Sequence, residues 1–246
     1  MKVFIADLHI HTVLSPCGSL EMSPKAIVEA AKSKKLDIIG ITDHNSTRQC
    51  RVIAGEAEKA GITVYCGVEV TTKEEVHCLA FFENFEKLDE FQHYLDVNLP
   101  DIKNDTALFG YQVVVNEAEE IVYEEDKLLI SAINKSIDQV EAEVHRLDGV
   151  FIPAHVNRPK YSLISQLGFI PPDLKFDALE LSKHIETDSF LKSYPYLNKA
   201  SIIRSSDAHQ PELIGESFTR LSMKSSDFSE FRKAIAGADG REVIRR

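Results

Sequence analysis

The sequence predicts an α/β barrel with a small β-rich insertion. Three observations carry this. Apolar, strand-like runs alternate with helical periods over most of the chain, the pattern of parallel βαβ units. The run "LDIIGIT" (36–42) is almost continuously apolar, as in a strand covered on both faces. Histidines and carboxylates recur at the ends of such runs, where barrels build their sites. At 246 residues the chain fits one barrel domain spanning 1–246.

The elements follow in order. "KVFIADL" is the first strand, and "MSPKAIVEAAKSKK" the first helix, with Ser23 as its cap and Pro24 at its first position. "LDIIGIT" is the second strand. The helical period of 46–60 ends at Gly61. "ITVYCGVEV" is a third strand, and "EVHCLAFF" (75–82) a fourth, with a helix over 86–97 behind it. Residues 98–134 break the rhythm: "YQVVVNEAEEIVYEED" places β-rich stretches on both sides of an acidic turn, which predicts a hairpin insertion or a cap. Alternation resumes with a helix over 136–147 capped by Ser136. The strands "VFIPAH" (150–155), "DALELS" (177–182) and "ASIIRSS" (200–206) follow, with a helix over 184–194 between the last two.

Lys+Arg of 28 against Asp+Glu of 39 gives a formal charge of −11. That balance argues against an extended nucleic-acid surface, which needs a basic face, and leaves room for a small anionic substrate, because bound metal cations can reverse the local field. The four cysteines, Cys17, Cys50, Cys66 and Cys78, show no C-x-x-C spacing, which suits a reducing compartment. No secretory leader and no membrane-length apolar run is visible, so a cytoplasmic location is expected.

The chemistry lies in the strand ends. In "DLHIHT" (7–12), His9 and His11 fall on one face of a strand with Ile10 opposite. The second strand runs into Asp43, His44 and Asn45, and the third carries Glu69 near its end. His77 stands early in the fourth, "VFIPAH" ends in His155, and "ASIIRSS" leads into Asp207 and His209. Six imidazoles and two carboxylates on one barrel face form a transition-metal donor set. They exceed the roughly three protein ligands of a single catalytic ion, which predicts two or three divalent ions, Zn, Mn or Fe. His93, His145 and His184 lie on or beside helices and are read as surface or satisfied histidines.

Taken in order, "DLHIHT", "ITDHN", "GVEV", "EVH", "PAH" and "SSDAH" resemble the motifs of the polymerase and histidinol phosphatase (PHP) family. The resemblance implies a distorted (β/α)7 barrel and metal-dependent phosphoester hydrolysis. It implies one ion held by His9, His11, Glu69 and Asp207, a second by Glu69, His77 and His155, and a third by His44 and His209. Where relatives commonly carry "SDG" after the first motif, this chain has "SPCGSLEMSP", which makes Cys17 a further candidate ligand. Arg158, three residues past His155, is the candidate clamp for substrate phosphate. Glu69, Asp207 and His209 are the candidate catalytic residues. The expected reaction is hydrolysis of a phosphomonoester or phosphodiester of a small molecule or nucleotide by metal-activated water. A C–N hydrolase of amidohydrolase type and a non-catalytic metal-binding scaffold are the alternatives.

Overall fold

Local sequence sets most element boundaries. In the computed structural model, which describes residues 1–245, the chain runs β1 (Lys2–Ile10), α1 (Pro24–Ser33), β2 (Ile38–Ile41), α2 (Cys50–Lys59), β3 (Thr63–Thr71), β4 (His77–Phe81) and α3 (Phe85–Asn98). The middle holds α4 (Thr106–Phe109), β5 (Val113–Val115), β6 (Ile121–Glu124), α5 (Ile137–Arg146) and β7 (Val150–Pro153). The last part adds α6 (Leu163–Leu167), β8 (Ala178–Glu180), α7 (Thr187–Ser193), β9 (Ser201–Ile203), β10 (Thr219–Met223), α8 (Phe228–Ala236) and β11 (Glu242–Ile244). Ser23 caps α1 through the Ala26 amide. Ser136 and Gln139 form a reciprocal capping box on α5. Two helices start later than their periodicity predicts. Gln92 accepts from the amide and hydroxyl of Thr47, which holds 46–49 out of α2. Arg204 donates to the carbonyls of Ser182 and Ile185, so α7 begins only at Thr187.

The main sheet has the order β11-β10-β1-β2-β3-β4-β7 and curls. Beyond β7, the Asp177 amide donates to the Phe151 carbonyl and the Val156 amide to the Glu180 carbonyl, both at 2.9 Å, which brings up the parallel pair β8–β9. After β9, the His11 amide donates to the Ala208 carbonyl at 3.0 Å and the Ala208 amide to the His9 carbonyl at 3.2 Å, continuing the curl toward the first strand. This is the distorted α/β barrel that the sequence predicts. Its inner core collects Ala6, Leu8, Phe81, Ile152 and Ile203, packed against Phe231 of α8, while α1, α2 and α3 pack on a second core outside the sheet.

Two irregularities position the site. The expectation of parallel pairing fails at β4, which is antiparallel to both β3 and β7. Residues 72–76 are too few for a crossover, and they close as a turn through Thr72 and Val76. Thr71 is therefore paired with His77, so the start of β4 lies beside the end of β3. In β1 the register against β2 shifts between Asp7 and Ile10. Phe4, Ala6 and Leu8 belong to the inner core but Ile10 to the outer one, and this break re-aims His9 and His11 as a bulge does.

The segment 98–134 forms the predicted hairpin, β5 pairing with β6 across an acidic turn. Val113 and Val115 pack on Val13, and β6 stays exposed. Among the described residues no helix is long and apolar enough to cross a membrane.

Candidate metal centre

Glu69, at the end of β3, is 1% exposed and is the hub of the strand-end cluster. Its Oε1 lies 3.2 Å from His9 Nε2, 3.0 Å from His77 Nδ1 and 3.2 Å from His155 Nε2. Its Oε2 lies 3.3 Å from His11 Nε2 and 3.2 Å from His44 Nδ1. Asp207 closes the other side, with Oδ1 3.3 Å from His9 Nε2 and 3.2 Å from His11 Nε2. His209 stands farther out, with Nδ1 3.7 Å from that oxygen. Arg158 reaches inward, its Nη1 2.5 Å from Asp207 Oδ2. Cys17 also lies here: one ligand atom each from His11, Cys17, His44 and His209 falls within 4.8 Å of the other three. The structure thus brings together every candidate residue. His93 and His184 are exposed, and His145 is paired with Glu141 and Asp177.

Buried supports fix the ring orientations. His9 Nδ1 lies 3.1 Å from Glu180 Oε2, and the same oxygen accepts from the His155 amide at 2.9 Å. Ser15 Oγ donates to Asp43 at 2.7 Å, so it accepts the His11 Nδ1 proton at 2.9 Å. A carbonyl can only accept, so His209 Nδ1 donates to the Asp207 carbonyl at 2.9 Å. In each ring Nδ1 is engaged and Nε2 is left as the free ligand atom, the arrangement that orients metal-binding histidines. The sequence reading missed Glu180, although a carboxylate between two leucines in the strand "ALEL" (178–181) was a usable signal. It also missed Tyr161, whose ring stacks on His77 at 4.9 Å and 11°; its place depends on a loop and left no trace. The backbone at Asn45, His155 and Asp207 has positive φ (45°, 30° and 53°). Such strain costs about 1–3 kcal/mol per residue and concentrates at functional sites.

The donor set fits cations. His9 Nε2 and His11 Nε2 face one another at 3.2 Å, the buried Nδ1 of His155 has no hydrogen-bond partner, and that of His44 approaches Glu69 at 3.2 Å without forming an aligned hydrogen bond. Burial would raise the Glu69 carboxyl, but the imidazoles of His77, His9 and His44 outweigh it and hold it well below its usual range. Burial pushes His44 and His155 down, and burial with His11 takes His209 down to about 4. These three are neutral ligands in waiting. Burial likewise opposes charge on His11, yet Asp207 and Glu69 prevail and raise it to about 9.

A cation entering at neutral pH must therefore displace a proton from His11. Zinc titrations of the ion-free chain in buffers of different ionisation enthalpy are expected to show proton release. Because protons compete for the same atoms, and His9 is raised as well as His11, apparent affinity should rise as pH climbs toward about 9. A binding heat independent of buffer would contradict this.

The centre opens into a cavity of about 250 Å³ lined by Cys17, His44, His77, Arg158, Tyr161 and His209, among others. The chain is 27% identical, over 99% of its length, to the uncharacterized protein YqxK of Bacillus subtilis (strain 168), and covers 65% of that protein. Its fold matches the lesion-specific endonuclease PfuEndoQ of Pyrococcus furiosus with a TM-score of 0.74 at 24% identity, covering 99% of this chain and 58% of that one. A structure of Endonuclease Q with a 27-mer duplex bearing an abasic lesion at its active site matches with a TM-score of 0.75 at 24% identity, covering 99% and 59%. A Bifidobacterium adolescentis chain assigned as a metal-dependent phosphoesterase matches with a TM-score of 0.60 at 20% identity, covering 95% and 96%. The chain thus spans less than two thirds of the length of YqxK and of the Endonuclease Q chains.

These likenesses overturn the expectation of no extended nucleic-acid surface, because the same fold serves a protein that takes duplex DNA at its active site. The physical reason is that net charge sums over the whole surface, whereas bound cations and a local arginine set the field where a phosphate lands. The PHP domain family matches residues 7–166, from the first histidine pair past His155 and Arg158, and by that match the chain belongs to the PHP domain family, whose members are metal-dependent.

Proposed function

We propose that this chain is a metal-dependent phosphoesterase that hydrolyses a phosphodiester of a nucleic acid strand. The observation that carries the reading is the Glu69 carboxylate, buried within 3.3 Å of the nitrogens of five imidazoles. In this reading residues 1–246 form one barrel domain with 98–134 inserted. His9, His11, Glu69 and Asp207 would hold one divalent ion, and Glu69, His77 and His155 would hold a second. When bound, such ions supply positive charge against the phosphoryl oxygens and acidity to water at neutral pH. Glu180 and Ser15 hold the His9 and His11 rings so that Nε2 faces inward. Arg158 offers a guanidinium to the non-bridging oxygens. Tyr161, 45% exposed and backed by His77, offers a flat face on which a base or sugar can stack. Asp207 and His209 stand in the centre without a proton to give at neutral pH: burial would raise the Asp207 carboxyl, but His9 and His11 outweigh it and hold it well below its usual range, and burial takes His209 down to about 4. The diester reading draws its support from the likeness to Endonuclease Q.

The test is a panel assay of the metal-reconstituted chain against phosphomonoesters, small diesters, and single- and double-stranded oligonucleotides with and without an abasic position. Strand cleavage is the expected result. Release of inorganic phosphate from monoesters alone would sink the diester reading. Arg158→Ala is expected to raise KM roughly tenfold, the lower end for a charged hydrogen bond, with metal content unchanged. Loss of metal in that variant would instead make Arg158 a support for Asp207.

A further inference from the structure

The insertion 98–134 reaches the cavity over the metal centre through one side chain. That cavity is walled by ligand groups, a guanidinium and the Tyr161 ring, and among the described residues its single aliphatic member is Ile130. Two buried amides hold Ile130 in place. Gln112 donates to the carbonyls of Glu125 at 2.9 Å and Lys127 at 2.8 Å, and accepts from the Leu129 amide at 2.8 Å. Asn45 donates to the carbonyls of Leu129 at 2.7 Å and Ser131 at 2.9 Å, the two residues that bracket Ile130. Its Oδ1 accepts from the Thr71 amide at 3.2 Å, and its backbone amide donates to the Glu69 carbonyl at 2.9 Å. One side chain thus ties the insertion to the end of β3 and to the segment bearing His44. Satisfied buried amides specify a single arrangement, because any slip leaves polar groups unpaired in a low dielectric.

The near side of the insertion is pinned as well. Gly110 has φ of 86°, and a Cβ there would stand 2.9 Å from the Pro16 carbonyl, so glycine alone lets the chain approach the loop that brings Cys17 to the cavity. Gln49 and Val115 exchange two bonds, Nε2 to carbonyl at 3.1 Å and amide to Oε1 at 2.9 Å. The insertion is a fixed wall. Its exposed Glu117, Glu119 and Glu120 repel a phosphate, so what it adds to the cavity is apolar contact.

We propose that Ile130 is a specificity-determining residue, the surface against which the nucleoside carried on the reacting phosphorus packs, and that Asn45 is the positioning residue that sets it. A phosphate held at the centre and by Arg158 leaves its organic group to the rest of the cavity, where Ile130 and the Tyr161 ring supply apolar surface. At about 250 Å³ the space is smaller than the roughly 300–1,000 Å³ of pockets for drug-sized ligands, which suits one planar base. The inference rests on the phosphodiester reading of the centre, but its test needs no turnover.

Calorimetry on the zinc-loaded chain compares thymidine 5′-monophosphate with inorganic phosphate, which lacks the nucleoside. The wild type is expected to bind the nucleotide more tightly. Ile130→Ala should lower the ratio of the two affinities at least about tenfold, the lower end for apolar groups lost from a hydrophobic pocket, and Ile130→Trp, which fills the space, should lower it too. Asn45→Asp suits the backbone, whose φ of 45° asparagine and aspartate tolerate best, but it sets oxygens against the Leu129 and Ser131 carbonyls. It should lower the ratio as Ile130→Ala does, the double variant should be no worse than either single one, and hydrogen exchange should quicken at 129–133. A wild type that binds both ligands equally, an unchanged ratio in both Ile130 variants, additive losses in the double variant, or loss of zinc from Asn45→Asp would each overturn the proposal. Ratios that shift as expected in a chain that cleaves no oligonucleotide would keep the wall and refute the proposed reaction.

Discussion

Glu69→Gln is expected to lower phosphodiester hydrolysis at least about a hundredfold, since even outer-shell changes at metal sites cost 10–100-fold. The amide keeps the shape of the side chain but turns one acceptor oxygen into a donor. One oxygen faces His9, His77 and His155, and the other faces His11 and His44, so either orientation sets N–H groups against nitrogens that must supply lone pairs. The carboxylate that would serve both proposed ion positions is lost, and elemental analysis should show fewer ions per chain. The fold should survive, because Val68 and Val70 pack fully buried in the outer core whatever stands at 69. In the ion-free variant the His11 imidazole should also titrate below about 9, since Glu69 is among the groups that raise it; NMR titration of the ring protons reads this. Wild-type turnover in Glu69→Gln would show that the centre lies elsewhere.

Loading with zinc or manganese is expected to raise the melting temperature, and a chelator should reverse it together with all hydrolysis. An ion at a hundredfold its Kd stabilises by about 2.7 kcal/mol when only the folded chain binds it. For a chain of this size that amounts to roughly 5–11 °C per ion. The sign follows from the site: buried imidazoles and carboxylates lie around His9 and His11, and burial opposes a charge on either ring. A cation supplies the compensating charge that the ion-free fold takes from protons. A melting temperature indifferent to metal, at concentrations where elemental analysis shows binding, would contradict this account.

The sequence by itself determined the strand–helix alternation, the caps at Ser23 and Ser136, and which histidines and carboxylates stand at the strand ends. Those are local properties, set by periodicity of two or 3.6 residues and by residue type at strand ends. It could not show that β4 runs backwards, because pairing direction depends on the brevity of the 72–76 turn and on which strands flank it. That reversal is what puts His77, at the start of its strand, beside Thr71 at the end of β3. Nor could it show that Glu180, 171 residues from His9, would hold that ring, or that Ser19 would anchor the Cys17 loop to His209. Net charge misled about nucleic acid for the same reason, since composition has no coordinates. Tertiary structure alone decided these points, because each is a contact between residues far apart in the chain, made only once the sheet has curled.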